Sequence, residues 1–401
     1  MAFLRPTLQS LLNQTFYSNA TKIIFTTPGV RHLYAATTLG LDNFLSQRDR
    51  VKIQLENVAP KFREKMNEYT TEGSKNMVFT EDLKNMLHLA DSNDLPLVIK
   101  MMTRFNQQNK QLRFGNYIFG PVIMRLFHFL NKHEEAYECF KSPELNGLFD
   151  QMMSYQILLD LLYENQRYDD VLEIFEIIKT RQIEGVKFAK NVVVLVCAAC
   201  YKLNTQESLK FVLNLWSELN NVGHLPMRRA VTFCSGLAIN QGKPEVGLEI
   251  LSGAKNPNYT TIRNLKVLAL VDMGRIDDAL AVLKSVTHED VASLGPVQTF
   301  NMDVMQKMKD AVVKLNNADI TLEFNRVEKY FKDHGHIANN LLHEQLCQEI
   351  ATPQIIRNKT SEFSPQRYNT TYEEGVNRRP TYKRRTIGGQ SSLRPGLSEM
   401  H

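Results

Sequence analysis

The stretch VLNLWSELNNVGHLPMRRAVTF, residues 212–233, holds the end of one helix, a stop and the start of another. Gly223 supplies the left-handed residue that ends a helix, and Pro226 blocks any continuation. The pentad VLNLW at 212–216 has relatives along the chain: AYECF at 136–140, VLEIF at 171–175, GLEIL at 247–251 and ALAVL at 279–283. Their last residues, Phe140, Phe175, Trp216, Leu251 and Leu283, are spaced by 35, 41, 35 and 32 positions. A mean near 35 is the length of one two-helix hairpin, and the 41 fits a longer turn around 202–207.

Outward from this stretch the pattern is helix after helix. Tyr155, Leu158, Leu159 and Leu162 fall at i, i+3, i+4 and i+7, one apolar stripe. After the polar turn NQRYDD, Val171, Ile174, Phe175 and Ile178 repeat the stripe. Sustained period-two alternation is missing, so no sheet is expected. Gly274 marks an inter-helix turn, and Asp169, Asp170, Asp277 and Asp278 open second helices, where the helix dipole favours acids.

On these residues the chain resembles the pentatricopeptide repeat family. Its pattern A-L-x-L-F-x-E-M-x-x-x-G-x-x-P-D followed by V-T-Y is met by Val212, Leu213, Leu215, Trp216, Glu218, Leu219, Gly223, Pro226, Val231, Thr232 and Phe233. Tetratricopeptide repeats, at about 34 residues, need a small residue midway along the first helix. The corresponding positions are Leu159, Cys200, Ser235 and Val267, two of them bulky. The resemblance covers about 115–285 in four or five degenerate units, with a weaker candidate at 97–101. It implies an all-α, right-handed α-solenoid with disordered ends. It further implies a protein of the mitochondrial matrix that binds single-stranded mRNA precursors, works alongside RNA-processing proteins in transcript maturation, and so supports respiratory-chain function. A scaffold that binds another protein through its concave face is the alternative.

Members of the family that read RNA take one base per repeat through side chains near the start of each first helix. The matching positions here, Val122, Ile157, Ala198, Phe233 and Leu265, are all apolar. The V-T-F register points instead to Ser235, the one polar candidate. Modular base readout is therefore not expected.

The charge sits at the ends. Of the formal +5, residues 1–41 carry +3 and residues 351–401 carry +5, which leaves −3 for 42–350. The segment 1–34 is rich in Ser and Thr, free of acids and punctuated by Arg5, Lys22 and Arg31, as a mitochondrial presequence requires. Residues 42–114 read as an N-terminal helical region, 115–290 as the repeat array and 297–350 as three helices capping it. Residues 351–401 cannot bury a core and are expected to be disordered. Within them Arg378, Arg379, Lys383, Arg384 and Arg385 surround Tyr382, a set suited to holding phosphates while the ring stacks on a base.

The catalytic signals are weak. Cys197 and Cys200 have metal spacing but stand alone within an apolar helix, and five cysteines fit no disulfide framework. His334, His336 and His343 read as a solvated turn. Phosphate-cradling, dinucleotide and nucleophile-elbow motifs are missing. No enzyme, cofactor, metal, small-molecule substrate or membrane span is expected.

Overall fold

Six polar turns of this chain close with the same backbone solution. Asn131, Gln166, Asn204, Gly242, Gly274 and Asn316 all take left-handed φ between 49° and 73°. In four of them the next residue donates back across the turn: Lys132 to the Phe127 carbonyl, Arg167 to Leu162, Lys243 to Ala238 and Arg275 to Leu270, each at 2.9 Å. This six-to-one bond satisfies carbonyls that a helix end would otherwise leave bare. Acids follow in the first turn of the next helix, Glu134 and Glu135, Asp169 and Asp170, Glu245, and Asp277 and Asp278. A recurrent local code thus makes recurrent hairpins.

The computed structural model describes residues 33–108, 117–182, 187–289 and 298–350. Helices α2 (Leu41–Leu55) and α3 (Ala59–Tyr69) pack on the helices that follow; the hairpins are α4 (Thr80–Leu89) with α5 (Leu95–Gln107), and α6 (Gly120–Leu130) with α7 (His133–Lys141). Next come α8 (Met152–Glu164) with α9 (Tyr168–Arg181), α10 (Lys190–Leu203) with α11 (Gln206–Asn221), and α12 (Arg228–Asn240) with α13 (Pro244–Ser252). The last two are α14 (Thr260–Asp272) with α15 (Ile276–Glu289) and α16 (Met302–Leu315) with α17 (Ala318–His334). A short α1 (Ala36–Leu39) precedes them and a five-residue α18 (Leu342–Leu346) follows.

First helices stack on first helices, α4 on α6, then α8, α10, α12, α14 and α16 in turn. Each second helix from α7 to α15 wedges between its own first helix and the next. Second helices also reach one another through long side chains, as in Lys141 to Glu173 at 2.6 Å and the Lys284–Glu323 pair. The result is a two-layer all-α repeat array. The pentad anchors Phe140, Phe175, Leu251 and Leu283 are buried in it, while Trp216 is half-buried.

The stack runs beyond 115–285 in both directions, because α4–α5 and α16–α17 are hairpins of the same kind. Residues 298–350 hold α16, α17 and α18, together with something the periodicity did not signal. Two-residue strands β1 (Phe300–Asn301) and β2 (Ile337–Ala338) pair in parallel, and Tyr34 bridges to Ile350. The expected presequence, 1–34, lies outside the described residues except at its end. There Leu33 and Tyr34 are buried, with Leu33 accepting from the Ile350 amide at 2.8 Å and Ala35 donating to the Ile350 carbonyl at 3.1 Å. Residues 33 and 34 are thus part of the folded body.

Candidate functional site: the inner face of the array

In a two-layer stack a first helix has neighbours on three sides, and its fourth side lines the inner face. Yet α8 is buried without a break from Ser154 to Tyr163, α10 from Val192 to Tyr201, and α12 from Ala230 to Ile239. Something covers the fourth side. Part of the cover is the chain itself: residues 341–350 touch α16, α12, α10 and α8.

The contacts can be followed in order. The Leu342 amide donates to the carboxylate of Asp303 on α16 at 3.1 and 3.2 Å. Arg229 on α12 donates through Nη1 to the carbonyls of Leu346 at 2.6 Å and Gln345 at 3.3 Å. Leu346 packs on Gly236, where an added methyl would meet its Cδ1 at 3.5 Å and Tyr201 Cε2 at 3.0 Å. His343 stacks on Tyr201 of α10 with ring centroids 5.5 Å apart and planes at 24°. Its Nδ1 stands 3.1 Å from Tyr201 Oη and its Nε2 3.1 Å from Lys202 Nζ. Cys347 neighbours Tyr163 of α8, whose phenol is held well above its usual range by burial. Ile350 then meets Tyr34, whose hydroxyl donates to the Asn191 carbonyl at 3.4 Å. Leu342, Leu346 and Cys347 point inward and His343 outward, one amphipathic turn.

Ile157, Ala198, Phe233 and Leu265 are buried, and Val122 is half-buried. Ser235, the polar candidate, has no exposed surface and donates through Oγ to the Gly247 carbonyl of α13 at 3.0 Å. It is a core hydroxyl joining α12 to α13, not a group presented to a ligand. Arg378, Arg379, Tyr382, Lys383, Arg384 and Arg385 lie outside the described residues. The residues that sequence reasoning missed are Tyr201, Lys202 and Arg229, whose role depends on a segment more than a hundred positions away.

Other chemistry-bearing groups have structural places. Cys197, Cys200 and Cys234 are buried free thiols, with the Cys200 and Cys234 thiols pushed up by burial and by neighbouring sulfur. The three histidines do not share a solvated turn. His336 is buried and its Nδ1 lies 2.7 Å from the Gln298 carbonyl, His334 stacks on Tyr330, and His343 sits on Tyr201. Among the described residues one group has metal-ligand spacing. His128 Nε2 stands 3.3 Å from Asp160 Oδ2 and 3.6 Å from Glu164 Oε2, with all three ligand atoms within 4.8 Å of one another. One imidazole thus faces the buried Asp160 carboxylate and the half-buried Glu164 carboxylate, and the same donors suit a divalent cation. A groove of about 750 Å³ opens between α13, α14 and α15, and Arg263, Lys266 and Arg275 line it, with Arg275 paired to Asp278 at 2.7 Å. No helix among the described residues is long and apolar enough to cross a membrane.

Fold and site together define an α-helical repeat protein with residues 341–350 lying against part of its first helices. The similarity of the chain to known proteins lies in that class. It is 28% identical over 319 residues to the mouse (Mus musculus) "Pentatricopeptide repeat-containing protein 2, mitochondrial", covering 79% of this chain and 82% of that one. The human (Homo sapiens) protein of the same name is 26% identical over 318 residues, 79% and 80% of the two chains. The zebrafish (Danio rerio) protein is 30% identical over 234 residues, 58% and 61%. No family model matches the chain.

Proposed function

We propose that this chain is a mitochondrial RNA-binding protein, a right-handed α-solenoid that acts in the matrix without catalysis in the maturation of mRNA precursors, alongside RNA-processing proteins. Similarity to relatives named as mitochondrial pentatricopeptide repeat proteins supports this reading. The observation that carries its mode is the burial of Ile157, Ala198, Phe233 and Leu265. One base per repeat needs those positions open and polar. Contact therefore runs through charge and stacking, with Arg378, Arg379, Lys383, Arg384 and Arg385 on phosphates and Tyr382 on a base. Filter binding of the full chain to single-stranded RNA tests this: affinity falls steeply with salt, and binding that is lacking at low salt refutes it.

The second reading, a scaffold for a protein partner in a mitochondrial assembly, is favoured by the −3 charge of residues 42–350. In-organelle crosslinking separates the two. Recovery of protein adducts without RNA adducts supports the scaffold.

A further inference from the structure

We propose that residues 341–350 are a displaceable plug over a strip on the inner face, formed by Tyr201, Lys202 and Arg229, that binds single-stranded RNA. The inference rests on the RNA-binding reading and adds to it a place and a mode of control.

The plug makes, contact by contact, the interactions a nucleotide would make. A heteroaromatic ring, the His343 imidazole, lies flat on Tyr201 at 5.5 Å and 24°. That is the geometry of a base on an aromatic platform, which accepts any base because each has a π-face. Two polar groups, the Tyr201 hydroxyl and the Lys202 ammonium, hold the two ring nitrogens at 3.1 Å, as they would base-edge or ribose acceptors. Arg229 holds two successive oxygens, the Gln345 and Leu346 carbonyls, with one nitrogen. A guanidinium that spans adjacent backbone oxygens also suits adjacent phosphate oxygens, for which it is the preferred side chain. Tyr201 is backed by Phe233 at 5.6 Å, which fixes the platform whether or not the plug is present.

The plug is also built to leave. Its only regular element is the five-residue α18, and among its ties to the array are the bonds at Asp303 and Arg229, the His343 contacts with Tyr201 and Lys202, the burial of Leu342, Leu346 and Cys347, and the backbone bonds of Ile350 with Leu33 and Ala35. No hairpin has to open for it to detach. The sequence resumes at residue 351 with the tail that carries Arg378, Arg379, Lys383, Arg384 and Arg385. RNA captured there is tethered to the plug by the same chain, so its engagement with the strip is intramolecular and favoured by high effective concentration.

The test uses the full chain and a fluorescent single-stranded poly(U) oligonucleotide at fixed salt. Leu346→Asp places a charge against Gly236 and Tyr201 and expels the plug. The expected result is an affinity raised about tenfold or more, because a closed state lowers apparent affinity by the fraction that is open. Adding Tyr201→Leu to that variant removes the gain. In the wild type, saturating oligonucleotide speeds exchange of the Leu342 and Ile350 amides while the α10 and α12 amides stay protected, a readout that does not depend on the variant folding. Unchanged affinity in Leu346→Asp together with unchanged exchange in the wild type overturns the plug and leaves RNA binding standing. Failure of both proteins to bind overturns both readings. If a synthetic peptide of residues 341–350 binds Leu346→Asp and poly(U) does not compete with it, the strip is a peptide site and the proposal falls.

Discussion

Replacing Asn264 by leucine removes a junction between the repeat array and the C-terminal helices. Asn264 on α14 has no exposed surface. Its Nδ2 donates to the Thr260 carbonyl at 2.8 Å and the Thr299 carbonyl at 3.2 Å, and its Oδ1 accepts from the Asn301 amide at 2.9 Å. Asn301 is equally buried and in turn ties Asn340 through Nδ2 at 3.1 Å. Leucine is close in volume, so packing changes little and the loss is polar. The Thr260 carbonyl lies within the hydrogen-bonded ladder of α14. The Asn301 amide and the Thr299 carbonyl lose a partner away from water. A buried group left unpaired costs about 1–3 kcal/mol, so the pair together costs about 2–6 kcal/mol. Urea denaturation of both proteins reads the sum. Hydrogen exchange locates it, with the Phe300 and Asn301 amides losing protection because β1 is released from its pairing with β2. A loss below about 0.5 kcal/mol with both amides still protected refutes the reasoning, because the bonds would then carry no more than a surface pair.

Further outcomes follow from individual contacts. Ser235→Ala lowers stability by about 1 kcal/mol, the value of one neutral buried bond, and leaves RNA affinity unchanged in a filter-binding assay; a drop in affinity would make Ser235 a reader after all. His88, buried beside Phe44 and Arg48, has its pKa lowered to about 4 by desolvation. The unfolded chain binds its proton near 6.5 and the folded chain does not, so stability is full above 6.5 and is lost as pH falls toward 4, by about 3 kcal/mol. His88→Leu flattens that part of the urea-midpoint profile, and an unchanged slope refutes the assignment. Tyr34→Ala empties a site with 3% exposure and costs about 3 kcal/mol in urea unfolding, an effect that a loose terminus would not show. For the same reason N-terminal sequencing of the mature protein should find Leu33 retained.

The readable part of this fold was the part that repeats. Phe140, Phe175, Leu251 and Leu283 must be apolar because each faces the groove between two first helices, and that demand recurs with every hairpin. The turns were half legible. Gly274 signals a left-handed residue by its chemistry, whereas Asn131, Gln166 and Asn204 take the same conformation without being obliged to. The outer hairpin α16–α17 keeps the geometry after losing the pentad, so pattern matching stopped short of it, whereas α5 carries the weaker candidate at 97–101.

The inner face was legible only as an anomaly, a row of apolar residues where readers were expected. Residues 341–350, which lie against part of it, form a single helical turn too short to show a period. Their partners Arg229 and Tyr201 stand 117 and 142 positions away, a relation that local sequence does not encode. Ser235 is polar in the sequence yet buried in the fold, because Gly247 brings the α13 backbone close, with a Cβ at that glycine meeting Ser235 Oγ at 3.3 Å.

The central claim is that RNA is held by charge and stacking and is not read base by base along the array. Affinity of the full chain for several unrelated single-stranded RNA sequences, measured across salt, tests it most directly. If five phosphates are held by Arg378, Arg379, Lys383, Arg384 and Arg385, log affinity falls with log salt at a slope of about −3.5 for every sequence. A preference of a hundredfold or more for one sequence, abolished by substituting Ala198 or Phe233, would contradict it.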